Sequence, residues 1–184
     1  MYPMDAQLAA ELAAMAKEDE RVRALPPGQE RDYVCRVGAD QLAEMQRVDE
    51  RNSKRLREII NANGWPGYSL VGEQGASDVW GLAQHADPGF QSELLDSLTY
   101  AVAHGEASPR HLAFMTDRLR MRKRRRQLYG TQMIGEADGR LAPWPIEDPD
   151  RLDERRAAVG LEPFAEYAAR RGLATGPTNS AAAD

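Results

Sequence analysis

Residues 39–64 read ADQLAEMQRVDERNSKRLREIINANG, and this stretch decides the fold class. Its large apolar side chains fall on one face of a helix with 3.6 residues per turn: Leu42, Met45, Leu56 and Ile59. The glycine that closes the stretch is typical of the residue just after a helix. The stretch therefore predicts one long helix from about residue 39 to residue 62.

Further helices are indicated on both sides of this stretch by helical spacing and by start signals such as Asp87-Pro88 and Ser108-Pro109. The predicted helices cover about residues 5–23 and 76–86, the segments that start at residues 87 and 108, and short segments at 148–158 and 163–171. Asp138-Gly139 lies between two short runs that favour strands, as in a hairpin turn. The prediction is an all-α, single-domain bundle of five to seven helices with one small β-hairpin near residues 129–146.

The sequence also suggests a division of the chain into three parts. Residues 1–36 are expected to form an N-terminal helical extension, and residues 37–173 the helical domain with the polar site. Residues 174–184 are rich in Gly, Pro, Ser, Thr, Asn and Ala, which is typical of a disordered tail.

Composition excludes several classes of site. The 184 residues include one cysteine and three histidines, too few and too scattered for a disulfide framework or a zinc site. Nucleotide-binding and nucleophile-elbow motifs do not occur in the sequence, so no cofactor is expected. No apolar run reaches 18 residues, and the first residues do not resemble a signal peptide. We therefore expect a cytoplasmic protein without metal, cofactor or membrane contact.

A short basic segment stands out in a chain of net charge −5. Residues 118–126 contain seven Arg or Lys side chains and no acidic one. Such a run could contact the phosphates of a nucleic acid, but the acidic net charge and the absence of interleaved aromatic residues do not favour that partner. A solvated helix end and a site for an anionic ligand are the other interpretations.

Charged residues interrupt two of the predicted apolar helix faces. Asp49 lies on the apolar face of the long helix, where a buried carboxylate would need a partner such as Arg51, Arg55 or Arg118. The alternative is that Asp49 is hydrated and Val48 takes the core position. Asp117 and Arg118 interrupt the apolar face of the fifth predicted helix in the same way, and they could equally form a structural ion pair.

Other polar and aromatic residues lie where helices end. His85 closes the third predicted helix and follows Gln84, and histidine is the side chain that changes charge near neutral pH. Trp65 lies in a Gly-Trp-Pro-Gly turn after the Asp49 helix, and Tyr129 and Gln132 follow the Asp117 helix. Because functional side chains gather in such loops, both turns could close one pocket.

Five separated motifs resemble those of a bacterial family of small helical proteins whose function is unknown. The motifs are Asp49 with Arg55, Gly64-Trp65-Pro66, Gln84-His85-Ala86-Asp87, Asp117-Arg118, and Gln127-x-Tyr129-Gly130-Thr131-Gln132. The resemblance covers about residues 42–146. It implies that one site is shared by Asp49, Arg55, His85, Asp117, Arg118, Tyr129 and Gln132. The chain departs from this family at Arg122–Arg126, where relatives have Gly- and Pro-type residues.

These residues favour a metal-independent acid–base enzyme that acts on a small polar or anionic metabolite by hydrolysis, elimination or cyclisation. His85, Asp49, Asp117 and Tyr129 would be catalytic, and the substrate would be bound by Arg55, Arg118, Trp65, Gln84 and Gln132. The alternative is a binding or accessory protein, such as an inhibitor, an immunity-type partner or a pathway chaperone, in which the same polar residues only organise the core.

Overall fold

The computed structural model describes residues 4–24, 38–135 and 141–171. The chain divides into two compact units, Met1–Ser108 and Pro109–Asp184. In the described part of the first unit the helices are α1 (Ala6–Arg23), α2 (Ala39–Asn63), α3 (Tyr68–His85) and α4 (Pro88–Ala103). In that of the second unit the elements are α5 (Pro109–Arg122), β1 (Met133–Gly135), β2 (Leu141–Pro143), a 3-10 turn (Pro149–Arg151), α6 (Leu152–Ala158) and α7 (Phe164–Arg170).

The predicted all-α fold with one small hairpin is confirmed. β1 and β2 pair antiparallel, with Ile134 opposite Ala142, and the predicted Asp138-Gly139 turn lies outside the described residues. The helices of the expected bundle fall into the two compact units given above. The expected boundary after residue 36 and the expected tail from residue 174 also lie outside the described residues.

The first unit is built around contacts of α1 with α2 and α3, and α4 packs on α2 and α3. The predicted N-terminal extension thus contributes α1 to the same packed unit as α2. α1 starts where the Asp5 carboxylate accepts a hydrogen bond of 2.9 Å from the Leu8 amide. The core of this unit includes Leu8, Leu12, Val48, Leu56, Ile59, Val79, Leu82, Phe90, Leu94 and Leu98.

α3 begins eight residues earlier than the sequence predicts. Its first turn, from Tyr68, is separated from the rest of the helix by Gly72, whose backbone has φ of 73°. Only glycine adopts this conformation readily, and a glycine at this place in the sequence does not favour a continuous helix. Burial of Val71 and the capping of the Tyr68 and Ser69 amides by Glu106 nevertheless hold the first turn in place.

The second unit has its own small core. Met115 and Leu119 of α5 are buried, as are Ala142 of β2 and Leu152 of α6. The Gln127 side chain donates hydrogen bonds to the carbonyls of Gln132 and Trp144, at 3.0 and 2.6 Å. These bonds tie the segment after α5 to both sides of the hairpin.

Gly67 and Gly81 offer a matched test of the α3 packing. A Cβ on Gly67 would lie 2.6 Å from both Cβ and the carbonyl oxygen of Glu106. We expect Gly67→Ala to destabilise the protein by about 2 kcal/mol, because the backbone of the Glu106 turn would have to move. A Cβ on Gly81 meets nothing within 4 Å, so Gly81→Ala is expected to stabilise the protein by about 0.5–1 kcal/mol. Urea unfolding of both variants checks the prediction, which equal effects would contradict.

Candidate acid–base site in the first unit

Four charged or titratable side chains from three helices meet in the first unit. Asp19 and Arg23 lie one turn apart on α1, Asp49 comes from the middle of α2, and His85 is the last residue of α3. Their side chains contact one another directly, and we call these four residues the His85 cluster. The packing of α1 on α2 and α3 is what brings them together.

Asp19 holds the imidazole of His85. Asp19 Oδ2 lies 2.8 Å from His85 Nδ1, and the Asp19 side chain is only 7% exposed. A carboxylate can only accept hydrogen bonds, so this contact requires the proton on Nδ1. The Nε of Arg23 lies 3.0 Å from the same Nδ1 and 3.2 Å from Asp19 Oδ2. Since a protonated Nδ1 cannot accept, Arg23 Nε donates to Asp19.

Arg23 connects the two carboxylates of the cluster. Its Nη2 lies 3.1 Å from Asp19 Oδ1 and also donates a close hydrogen bond to Asp49 Oδ1. The Arg23 side chain is 20% exposed, so this ion pair is largely withdrawn from water. The guanidinium therefore links α1 to α2 through a charge-assisted contact.

The two carboxylates differ in their titration. Burial acts to raise the pKa of Asp19, but the hydrogen bonds from His85 and Arg23 together outweigh it and lower the pKa below the ordinary aspartate value. Burial raises the pKa of Asp49, and the charge of Asp19 adds to this, against the attraction of Arg23. One carboxyl group is thus held ionised, while its neighbour takes up a proton more easily.

Two buried polar atoms on the same helices have no hydrogen-bond partner among the described residues. They are Oδ1 of Asp19 on α1, which faces Arg23 Nη2 at 3.1 Å only as an ion pair, and Nδ2 of Asn52 on α2. Asn52 lies one turn after Asp49 and is buried. The Asn52 Nδ2 donor therefore carries a cost in the protein interior unless water or a ligand satisfies it.

The partner of Asp49 differs from those that the sequence suggested. Arg23, from another helix, pairs with Asp49, whereas Arg55 donates to Glu11 and Glu58. Val48 takes the core position, as the alternative interpretation proposed, and Leu42 is exposed. Asp49 is half-buried and ion-paired rather than simply hydrated.

Asp117 has a different environment, in the second unit. Its side chain is fully buried and accepts hydrogen bonds from the amides of Leu128, Tyr129 and Thr131, at 2.7 to 3.2 Å. The Thr131 hydroxyl donates a further bond of 2.9 Å. Burial raises the pKa of Asp117, and these four donors oppose the increase. Asp117 thus holds the loop after α5 in place through donors that all belong to that loop.

The remaining predicted residues of the second unit surround this loop. Burial, with a smaller effect of the Asp117 charge, raises the pKa of the Tyr129 phenol. Gln132 is buried and donates to the Thr131 hydroxyl at 3.1 Å. Arg118 is half-buried, and burial lowers its pKa. The basic segment around it is exposed from residue 122 to residue 126.

Gln84 and Trp65 complete the predicted set. The Gln84 carbonyl accepts a hydrogen bond of 2.7 Å from the Gln91 side chain. Trp65 is buried and lines a cleft near the start of α3, whereas His85 lies at the end of that helix. Trp65 and His85 therefore lie at opposite ends of α3.

The predicted residues are divided between the two units. The first unit contains Asp49, Arg55, Trp65, Gln84 and His85, and the second contains Asp117, Arg118, Tyr129 and Gln132. Of the first group, the structure brings Asp49 and His85 together through Arg23. That all these residues share one cavity stays a prediction.

Asp19 and Arg23 were missed by the sequence interpretation. A signal for Asp19 exists, because it continues the helical spacing of Leu8, Leu12 and Met15 on α1. A carboxylate at that position of an apolar face indicates a buried partner, as it did for Asp49. Nothing in the local sequence shows that the partner is His85, which lies 66 positions away.

A family model described as a family of unknown function (DUF6624) matches residues 6–176, so the chain belongs to this family. This confirms the expected membership of an uncharacterised family. No curated protein and no solved structure matches the chain significantly. Within the described ranges, no helix is both long and apolar enough to span a bilayer. Residues 4–24, 38–135 and 141–171 also contain no group of three or more His, Cys, Asp or Glu side chains placed to hold a metal ion.

Proposed function

We propose that the chain is an acid–base enzyme that acts on a small polar metabolite by hydrolysis, elimination or cyclisation, with His85 as the general base. The observation that carries this proposal is the 2.8 Å contact between His85 Nδ1 and the buried Asp19 carboxylate. A carboxylate that holds Nδ1–H leaves the lone pair on Nε2, which can then accept a proton from a substrate.

The exposure of the cluster fits this role. The His85 side chain is 37% exposed, whereas the Asp19 side chain behind it is buried. The contacts of the His85 ring with Asp19 and Arg23 are both at Nδ1, so Nε2 is left for a substrate. The imidazole is therefore fixed from the protein side, which reduces the cost of orienting it during a reaction.

Asp49 is the proposed acid that completes the reaction. The pKa of Asp49 is raised, while that of Asp19 is lowered. Such a difference between neighbouring carboxyl groups is common in active sites where one donates a proton and the other stays ionised and stabilises positive charge. Asp49 Oδ1 is bonded to Arg23, and Oδ2 makes no hydrogen bond to the described residues. Oδ2 is therefore the atom proposed to carry the proton.

The charge of the substrate is not assigned by this site. Arg55, expected to bind an anion, is occupied by Glu11 and Glu58. Arg23 is similarly engaged by Asp19 and Asp49. The proposed substrate is therefore a small polar molecule.

A binding or accessory function is the second candidate. Its supporting observation is that the Asp117 carboxylate is fully hydrogen-bonded within the chain, as structural rather than catalytic groups usually are. In this case the His85 cluster also acts as a structural ion-pair network. Association with a partner without chemical change would then be the activity of the protein.

The two candidates are separated by incubating a metabolite extract with the protein and following each compound by mass spectrometry. We expect a small polar compound to be consumed, and His85→Gln to slow its consumption at least about a hundredfold. Ser77→Ala, at an exposed position of α3, is the control and should retain full turnover. Consumption at the wild-type rate by His85→Gln would exclude His85 as the base, and retention of a compound without consumption would favour the binding function.

Nitrogen NMR of the His85 ring tests the geometry independently of any substrate. In the wild type we expect Nδ1 to carry the proton and Nε2 to be the bare nitrogen. In Asp19→Asn the amide can donate to Nδ1, so the proton should move to Nε2. A wild-type ring protonated only on Nε2 would contradict the proposed base.

A further inference from the structure

A cleft of about 460 Å³ lies in the first unit, at the start of α3 and the end of α4. Its volume falls within the range of about 300–1,000 Å³ that is usual for small-molecule sites. The side chains that line it and bear on its chemistry are those of Trp65, Ser69, Leu70, Tyr100, His104 and Glu106. The His85 cluster lies at the other end of α3, so this cleft is a separate feature.

Two aromatic residues and a histidine are among those that line the cleft. Trp65 is buried in the turn between α2 and α3, which places its indole rigidly. Tyr100, the last-but-three residue of α4, stacks on His104 with ring centroids 4.0 Å apart and an angle of 26° between the planes. The Tyr100 residue is nevertheless 68% exposed. A large aromatic ring left so open is suited to contact a flat apolar molecule.

Among the described residues that line the cleft, Glu106 is the one with a carboxylate side chain. Its Oε2 accepts a hydrogen bond of 2.8 Å from the Ser69 amide, and its carbonyl accepts one of 3.1 Å from the Tyr68 amide. Oε1 accepts no hydrogen bond from the described residues. The amides at the start of α3, which would otherwise attract an anion, are therefore already occupied by the protein itself.

His104 adds a second acceptor. Its Nδ1 lies 2.8 Å from the Tyr100 carbonyl, which can only accept, so the proton is on Nδ1. Nε2 of the neutral ring is then an acceptor as well. None of the lining residues that the structure describes is a lysine or an arginine. The cleft thus combines aromatic walls, a carboxylate oxygen and an imidazole nitrogen, without a compensating cation.

We propose that this cleft binds a small aryl-alkyl amine, with the ammonium group on Glu106 Oε1 and His104 Nε2 and the aromatic body against Trp65 and Tyr100. The ammonium supplies the missing positive charge and up to three donors. Aromatic faces attract both the ring and the cation of such a ligand. This inference does not depend on the proposed reaction at His85.

Tyramine is the probe, and 3-(4-hydroxyphenyl)propionate is its control, because it has a similar body and the opposite charge. Binding is followed by calorimetry at about pH 8. We expect tyramine to bind saturably and the propionate not to bind. Glu106→Gln should weaken the binding of tyramine about tenfold, while its side-chain oxygen can still accept from the Ser69 amide. Tyr100→Ala should weaken the binding of tyramine about fivefold.

Tyr68→Ala is the matched control, since Tyr68 is an exposed tyrosine near the cleft that does not line it. This variant should bind tyramine as the wild type does. The circular dichroism spectrum and the thermal midpoint of each variant verify its fold. The proposal is overturned if tyramine shows no saturable binding to the wild-type protein, if the propionate binds equally well, or if folded Glu106→Gln retains wild-type affinity.

Discussion

Asp117→Ala is expected to lower the free energy of unfolding by about 4 kcal/mol. The fully buried carboxylate accepts hydrogen bonds from three backbone amides and one hydroxyl of the loop after α5. Alanine would leave all four donors without this acceptor, and each unsatisfied donor in a protein interior costs about 1–3 kcal/mol. Urea unfolding followed by circular dichroism measures the loss.

Asp117→Asn and Asp153→Ala provide the controls. The asparagine keeps one acceptor oxygen but turns an NH₂ group toward the donors, so we expect about half of the alanine effect. Asp153 also accepts from a backbone amide, that of Phe164 at 2.7 Å, but it is exposed. Asp153→Ala should therefore cost about 1 kcal/mol or less, because water can replace the carboxylate. Equal losses for Asp117→Ala and Asp153→Ala would contradict the importance of burial.

Arg23→Ala is expected to destabilise the protein by about 3 kcal/mol. The substitution leaves Asp19 and Asp49 facing each other without the guanidinium that links them. Asp19 is buried and, among the described residues, retains only His85 as a partner, so a neutral imidazole leaves its negative charge unbalanced. Thermal and urea unfolding at neutral pH measure the effect.

Arg21→Ala is the matched control on the same helix. Arg21 forms ion pairs with Glu18 and Glu44, but its side chain is 55% exposed. Exposed ion pairs contribute about 0–1 kcal/mol, because water screens both charges. We therefore expect Arg21→Ala to change stability by less than about 1 kcal/mol. A similar loss in the Arg21 and Arg23 variants would show that the His85 cluster contributes no more than an ordinary surface pair.

Helix positions could largely be predicted from short segments of the sequence. The predicted start of α2 is the one observed, and the Asp87-Pro88 signal correctly marks the start of α4, where the Asp87 carboxylate accepts from the Phe90 amide at 2.9 Å. Such signals work because capping and proline geometry act within one helical turn. The Ser108-Pro109 signal likewise marks the start of α5, which ends at Arg122, two residues before Arg124 adopts φ of 54°.

The candidate site could be predicted only in part. The interruption of apolar faces by Asp49 and Asp117 correctly indicated carboxylates that need partners, and both have them. The identity of each partner could not be predicted, because Arg23 lies 26 positions from Asp49 in the chain. The partners of Asp117 are mainly backbone amides. Because every residue except proline has such an amide, no residue type in the sequence identifies these partners.

The sequence by itself determined the helical class, the place of the hairpin and the partial or full burial of the Asp49 and Asp117 carboxylates. These properties depend on spacing along a helix face and on capping within a turn, which are local. Only the tertiary structure decided that Asp19 holds His85, that Arg23 joins α1 to α2, and that Glu106 caps α3. Such pairings depend on which helices pack together, because a buried charge is stabilised by whatever opposite charge or donor the packing brings within hydrogen-bond distance.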